Sequence, residues 1–232
     1  MSDNAEQIAA LSRKVEELTQ QVSELQDIHQ IRMLQHKYGY YMDKCMWEEI
    51  LDLYSDDAEL HFMGGIYRGK AGLRRLYIGR IAQLFTGGEA GPVDGFLSDY
   101  MQLQDVIDIA SDNKTAQGRF RYFMQGGNHE SRDHAIPGLP EQWWESGVYE
   151  NEYIKENAVW KIRKLGLHLA WRADYRDGWR HARPGVSGEK PVLYPDDPDG
   201  PDEYIEGFAA TWPKAAVQPF HYPHPVTGHN SG

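Results

Sequence analysis

Apolar side chains recur near the start of the chain at Ile8, Leu11, Val15, Leu18, Val22 and Leu25, and most positions between them are polar or small. This alternation of three and four is the heptad signature of a helix that offers a narrow seam to another helix. Ile and Val at one seam position with Leu at the other favour two parallel strands. The helix is expected to continue through Ile28, Ile31 and Leu34 into a stripe carrying Tyr38, Tyr41 and Cys45. Buried phenols require hydrogen-bond partners, so this stripe faces either acceptors in a core or a pocket. A break and a short second helix with Ile50, Leu51 and Tyr54 come next, followed by a strand over 58–63.

Beyond the glycines at 64, 65 and 69, residues 70–85 read as a helix with Leu73, Leu76, Tyr77 and Ile81 inward. Residues 96–110 and 115–125 alternate as strands around Ser111-Asp112-Asn113-Lys114, and 145–155 and 159–169 do so around Glu156-Asn157-Ala158. Helices, a strand, a helix and four long strands give an α+β class: a curved antiparallel sheet with helices over one face. The implied plan is a coiled-coil helix at 1–27, an α+β barrel domain at 28–170 and an extension at 171–232. Two segments exceed a minimal domain. Residues 126–142 form a long loop with the charged run His129 to His134, of the kind that serves as a lid or binding loop. The extension, with Trp179, Trp212, Phe220 and Tyr222, is too aromatic for a disordered tail and is expected to wrap over its own domain or a neighbour's.

Composition narrows the function. With 232 residues and 41 % hydrophobic content the chain can bury one sizeable core. A net charge of −11 repels phosphate backbones and anionic lipid, which argues against nucleic-acid or membrane partners. The single Cys45 leaves no intramolecular disulfide, the opening residues lack a signal-peptide pattern, and no run approaches a membrane span, so a cytoplasmic protein is expected. There is no glycine-rich phosphate cradle and no nucleophile elbow, and the histidines at 129, 134, 221, 224 and 229 lack recognisable zinc spacing. No cofactor or metal is expected.

The helix with Tyr38, the spacing Asp43-Lys-Cys-Met-Trp47 and the closing hairpin with Gly147-Val-Tyr-Glu150 and Val159-Trp-Lys-Ile162 together resemble the SnoaL-like branch of the nuclear transport factor 2-like superfamily. That group includes scytalone dehydratase and ketosteroid isomerase. The resemblance implies a cone-shaped pocket that works without a cofactor. It places Tyr38 where ketosteroid isomerases carry an oxyanion-stabilising tyrosine, and Asp43 where scytalone dehydratase carries a pocket aspartate. The isomerase base falls at Phe62 here, and the dehydratase histidines fall near Asp99 and Ser146, so neither mechanism transfers intact.

The resulting expectation is a cofactor-independent lyase for an uncharged aromatic substrate with more than one ring. Tyr38, Tyr41, Asp43 and Asp99 are the candidate catalytic groups. Phe62, Tyr100, Arg119, Arg121, Trp143 and Trp144 are the candidate substrate contacts. A carboxylate in an apolar cone is a usable base, and a tyrosine beside arginine can protonate a leaving hydroxyl. Bland roles compete with these: Asp43 capping the next helix, Asp99 at the surface, the tyrosines as core, the arginines solvated. Within the superfamily the chain is similar to lyases of lignin-derived diarylpropane diols, which release water and formaldehyde to form a stilbene. The alternatives are a dehydratase or isomerase of a polyketide or steroid-like substrate, and a non-catalytic oligomeric binding module. A homo-oligomer is expected in every case; the seam favours a dimer and the resemblance to scytalone dehydratase a trimer.

Overall fold

The computed structural model describes residues 2–182, 190–206 and 211–230. Part of the extension expected at 171–232, namely 183–189, 207–210 and 231–232, therefore lies outside the described residues. Helix α1 (Ser2–Asp43) is continuous, and its side chains from Asn4 to Gln26 are exposed. All six seam residues from Ile8 to Leu25 are between 48 and 66 % exposed. Gln20 Nε2 donates to Asn113 Oδ1 at 3.3 Å at the surface, and buried contact begins at Asp27, whose carboxylate accepts Trp160 Nε1 at 2.9 Å and Lys155 Nζ at 2.6 Å. One turn on, Ile31 is fully buried and Arg32 grips Asp105 with two parallel bonds of 3.0 and 2.7 Å. At Gly39 the helix crosses the strand of Tyr100 and Gln102 so closely that a Cβ would lie 2.9 Å from Tyr100 O and 2.7 Å from Gln102 Cγ.

After a turn at Lys44 and Cys45 come α2 (Trp47–Asp52), β1 (Tyr54–Phe62) and β2 (Gly65–Arg68). The next helix starts as α3 (Gly69–Arg74), widens into a π-helical stretch (Arg75–Ala82) and closes as α4 (Gln83–Thr86). The four long strands are β3 (Phe96–Ile109), β4 (Thr115–Asn128), β5 (Gln142–Glu156) and β6 (Val159–Asp174), and β7 (Glu203–Tyr204) adds a short edge.

The sheet order is β3-β4-β5-β6-β1-β2-β7. Its pairings are antiparallel except β1 with β6, which run parallel and shift register between Tyr54 and Glu59. With β3 and β7 as free edges the sheet is open, unlike the barrel expected for 28–170. It curves around the end of α1, α2 and the 69–86 helix, and the core lies in that hollow. β1 begins four residues earlier than expected, at Tyr54, which brings a further phenol into the hollow.

The extension packs along both flanks. Asp197 and Asp202 pair with Arg80 and Arg75 of the π-helical stretch. Residues 218–222 lie on the convex face of the sheet: Arg119 donates to the carbonyls of Gln218 (3.0 Å) and Pro219 (2.7 Å), and its guanidinium sits 4.0 Å over the Phe220 ring.

Candidate functional site

Strand parity decides which side chains enter the hollow. On β3 the buried positions are Ser98 and Tyr100; on β4 they include Phe120, Tyr122 and Met124; on β5 they include Trp143, Glu145, Tyr149, Asn151 and Tyr153. Tyr38 of α1, Tyr54 of β1 and Tyr77 of the π-helical stretch complete the set. Seven tyrosines are thus almost wholly buried within one concave face.

Their hydroxyls satisfy one another. Tyr77 OH lies 2.7 Å from Tyr54 OH and 3.2 Å from Tyr38 OH. Tyr149 OH donates to Tyr100 OH at 2.6 Å, and the Tyr38 ring meets the Tyr149 ring edge-on at 6.0 Å. Tyr100 stacks on Tyr122 at 5.1 Å, and Tyr122 OH donates to Glu145 Oε1 at 3.0 Å. Behind Glu145 stands Arg172, whose Nε donates to Glu145 Oε2 at 2.5 Å. At the other end, Tyr153 OH and Asn151 Nδ2 both donate to Gln35 Oε1 of α1. The result is a row of phenols that ends on a buried carboxylate and guanidinium.

Burial disfavours the phenolate, so Tyr38, Tyr54, Tyr77, Tyr100, Tyr122 and Tyr149 are all held above the ordinary phenol range. At neutral pH they are proton donors. Burial lowers the Arg172 pKa, but the charge and hydrogen bond of Glu145, with Tyr122 and Tyr100 beside it, together raise it above the ordinary guanidinium value, and the guanidinium stays charged. Burial also raises Asp43 above the ordinary carboxylate range; the Tyr100 N–H opposes this and the nearby Asp99 adds to it.

Asp43 does not cap α2, whose N-cap residue is Met46. Its Oδ1 accepts the Tyr100 backbone N–H at 2.6 Å, which fastens the end of α1 to an edge strand. Tyr38, Asp43 and Tyr100 are therefore brought together. Tyr41 and Phe62 are half-buried against the same core. Asp99 has the opposite parity to Tyr100 and lies outside the phenol row, near Asp43. Arg119 and Arg121 alternate with Phe120 and Tyr122 and point to the convex face, where Arg119 pairs with Glu150 and Arg121 Nε donates to Gln104 at 3.1 Å. Trp143 belongs to the hollow, while Trp144 stacks on Tyr175 outside it at 5.6 Å.

Sequence reasoning missed Tyr54, Tyr122, Tyr149, Glu145 and Arg172. For Glu145 the signal was present: on a strand of period two it shares a face with Trp143 and Tyr149, whereas Ser146 does not and donates to the Tyr122 carbonyl.

The histidines sit elsewhere. His134 lies 3.0 Å from the Leu84 carbonyl and Arg132 donates to the Phe85 carbonyl at 2.8 Å, so the 129–141 loop is bound to α4, and His129 pairs with Ser131 within it. His221 Nδ1 lies 3.2 Å from Glu150 Oε2 on the convex face; its Nε2 is equally near Asp108, at an angle too poor for a hydrogen bond. At the ends of β3, β4 and β5 a cleft of about 420 Å3 opens, walled by Phe96, Leu97, Gly126, Trp143, Trp144 and Tyr175.

The family described as "SnoaL-like domain" matches residues 23–166. None of the curated proteins compared matches the sequence. Among solved structures, a candidate scytalone dehydratase from Novosphingobium aromaticivorans DSM 12444 is similar, with TM-score 0.54 and 19 % identity over 70 % of this chain and 93 % of its own. The hexachlorocyclohexane dehydrochlorinase LinA type 2 is similar with TM-score 0.53 and 19 % identity over 66 % of this chain and 91 % of its own. The type 3 enzyme from Novosphingobium barchaimii LL02 gives TM-score 0.52 and 18 % identity over 66 and 92 %. At these identities the likeness is one of fold.

Proposed function

Because the chain belongs to the SnoaL-like domain family of the nuclear transport factor 2-like superfamily, we propose that it is a cofactor-independent lyase that eliminates from an uncharged aromatic substrate by acid–base chemistry. The observation that carries this reading is the row of neutral phenols ending on the buried Glu145–Arg172 pair. Two of the similar structures bear the names of eliminating enzymes, a dehydratase and a dehydrochlorinase. The reading stays within that class of reaction.

The finer proposal is a lignin-derived diarylpropane diol as substrate. A para-hydroxyl ring lets the substrate hold the electron pair that no protein group here is built to store. The Tyr100–Tyr149 hydroxyl pair protonates the benzylic hydroxyl, which leaves as water. Glu145 draws off the phenol proton through Tyr122, and a quinone methide results. Asp43, poised by burial, then takes the proton of the terminal hydroxymethyl group. The carbon–carbon bond breaks, formaldehyde leaves, and the electron pair returns to the ring to give the stilbene. Self-association through the exposed α1 seam is part of the same reading.

The test is turnover of 1,2-bis(4-hydroxy-3-methoxyphenyl)propane-1,3-diol, followed by stilbene fluorescence and formaldehyde release. Methylating the phenol para to the benzylic carbon is expected to abolish turnover while binding remains measurable. Comparable turnover of the methylated analogue overturns the mechanism. A second reading, an oligomeric binding module without catalysis, is favoured by the mutual hydrogen bonding of the phenols, and binding of the diol without either product would select it.

A further inference from the structure

The phenols of the hollow are sealed from solvent. Tyr38, Tyr54, Tyr77, Tyr100, Tyr122 and Tyr149 are between 0 and 6 % exposed, and Glu145 is 3 % exposed. A molecule reaches them only if part of the wall moves. Most of that wall is fastened. Arg32 on Asp105 and Asp43 on the Tyr100 N–H hold the end of α1, Asp197 and Asp202 hold the π-helical stretch, and the strands are held by their ladders. None of residues 87–95 is buried. The 129–141 loop is different: it contains no helix or strand, yet its Ile136 is 5 % exposed and belongs to the same apolar cluster as Tyr38, Tyr149 and Trp143.

The local sequence explains how a loop delivers this side chain. Pro137 and Gly138, the latter at φ 77°, form the corner of a turn closed by the Leu139 N–H on the Ile136 carbonyl at 3.1 Å. Proline followed by a glycine of positive φ is the pattern of a type II turn, which brings its two end residues close together. Leu139 accordingly packs against the same cluster. The loop is held to the body by the His129 N–H on the Gly95 carbonyl at 2.7 Å, by Arg132 on the Phe85 carbonyl and by His134 beside Leu84. A cleft of about 500 Å3, within the range of small-molecule sites, opens inside the loop, and Ile136 and Leu139 are part of its lining. Ile136 thus stands between this cleft and the sealed hollow.

We infer that this cleft is the entrance to the hollow and that Ile136, carried by the 129–141 loop, is the gate that an uncharged aromatic substrate passes. This rests on the lyase reading for what enters; the gate itself is tested without a substrate. A buried anchor stays in place until the whole chain unfolds, whereas a gate leaves with its loop while the sheet remains folded.

The full chain carrying Cys45→Ser and Ile136→Cys has one thiol, at the gate. Its labelling by 5,5′-dithiobis(2-nitrobenzoate) is followed in a urea series below the unfolding transition. Opening of the loop exposes little surface, so the labelling rate should stay flat in urea and exceed the rate that global unfolding of the same variant allows by at least about 10-fold. Adding Arg132→Ala, which removes the grip on the Phe85 carbonyl, should speed labelling roughly 3- to 10-fold and leave it flat in urea. In the unaltered chain, hydrogen exchange of the His129 amide should show the same flat dependence, which covers failure of the variant to fold. Labelling or exchange that climbs with urea in step with global unfolding makes Ile136 an anchor and overturns the gate, as does a rate that Arg132→Ala leaves unchanged. Diol turnover is measured separately. If stilbene forms and the loop opens only on unfolding, the substrate enters elsewhere and the gate falls; if the loop opens locally and no stilbene forms, the gate stands and the lyase reading falls.

Discussion

Glu145 and Arg172 face each other across β5 and β6 with little solvent to replace either partner. Glu145→Gln strands a buried cation and is expected to cost about 3–5 kcal/mol, read by urea unfolding. The double change Glu145→Gln with Arg172→Met should recover much of that stability and none of the turnover, and recovery of turnover would remove Glu145 from the chemistry. Asp43→Asn keeps an oxygen for the Tyr100 N–H, so the melting temperature should hold while the rate falls on the order of 10²–10⁴. A variant that melts early at full rate would make Asp43 a fastening alone. Since burial raises its pKa, activity should decline as pH drops through a value above the ordinary carboxylate range. On the convex face His61 and His168 are held below the usual imidazole value of 6.5, chiefly by burial. The unfolded chain therefore takes up protons first, and stability present above pH 6.5 is lost as pH falls from there toward their folded values. His61→Gln with His168→Gln should flatten that slope in a pH series of unfolding curves; an unchanged slope would assign it to other groups. At this scale the phenols on α1 were legible from helical spacing. Glu145 was obscured because the resemblance to scytalone dehydratase pointed to Ser146, one residue away and on the other face.

Among the elements, α1 has two natures. Its heptad seam could be read directly, because coiled-coil periodicity is local. Its docking point could not: Asp27 is held by Lys155 and Trp160, 128 and 133 positions away. The boundary drawn at residue 27 accordingly cuts through an anchor. Removing residues 1–25 should lower the oligomeric mass in light scattering and leave the melting temperature of the body nearly unchanged, whereas removing 1–27 should lower both by uncapping Trp160 and Lys155. An unchanged mass after the shorter deletion would place the association on the body. The helix at 69–86 was expected from its apolar spacing, yet its π-helical centre was not, because the spacing of Leu76, Tyr77 and Ile81 fits either winding. The extension packs tightly on that centre: Gly79 has Asp199 pressed against it, with Oδ1 only 2.0 Å from where a Cβ would stand.

For the molecule as a whole, the strand run gave the α+β class, but the parallel β1–β6 pairing and the open edges depend on how distant strands meet. The placement of the extension is likewise nonlocal, and Arg119 illustrates it. An arginine alternating with core residues invited a substrate role, while its partners Glu150, Gln218 and Pro219 make it a clasp for the chain end. Arg119→Ala should expose the segment around residues 218–222 to limited proteolysis with the hollow intact, and full protection would mean the clasp is redundant. Because α1 runs unbroken from the seam to Tyr38, arm and hollow are geared like parts of one shaft. Each residue turns the helix by about 100° and advances it about 1.5 Å. One residue added after Leu25 would swing the body about 100° around any partner gripping the arm, while seven would bring it back to within about 20° of its bearing. The spacing between seam and phenols is thus a phase setting: the number of residues in that stretch decides which flank of the body would face any partner on the arm.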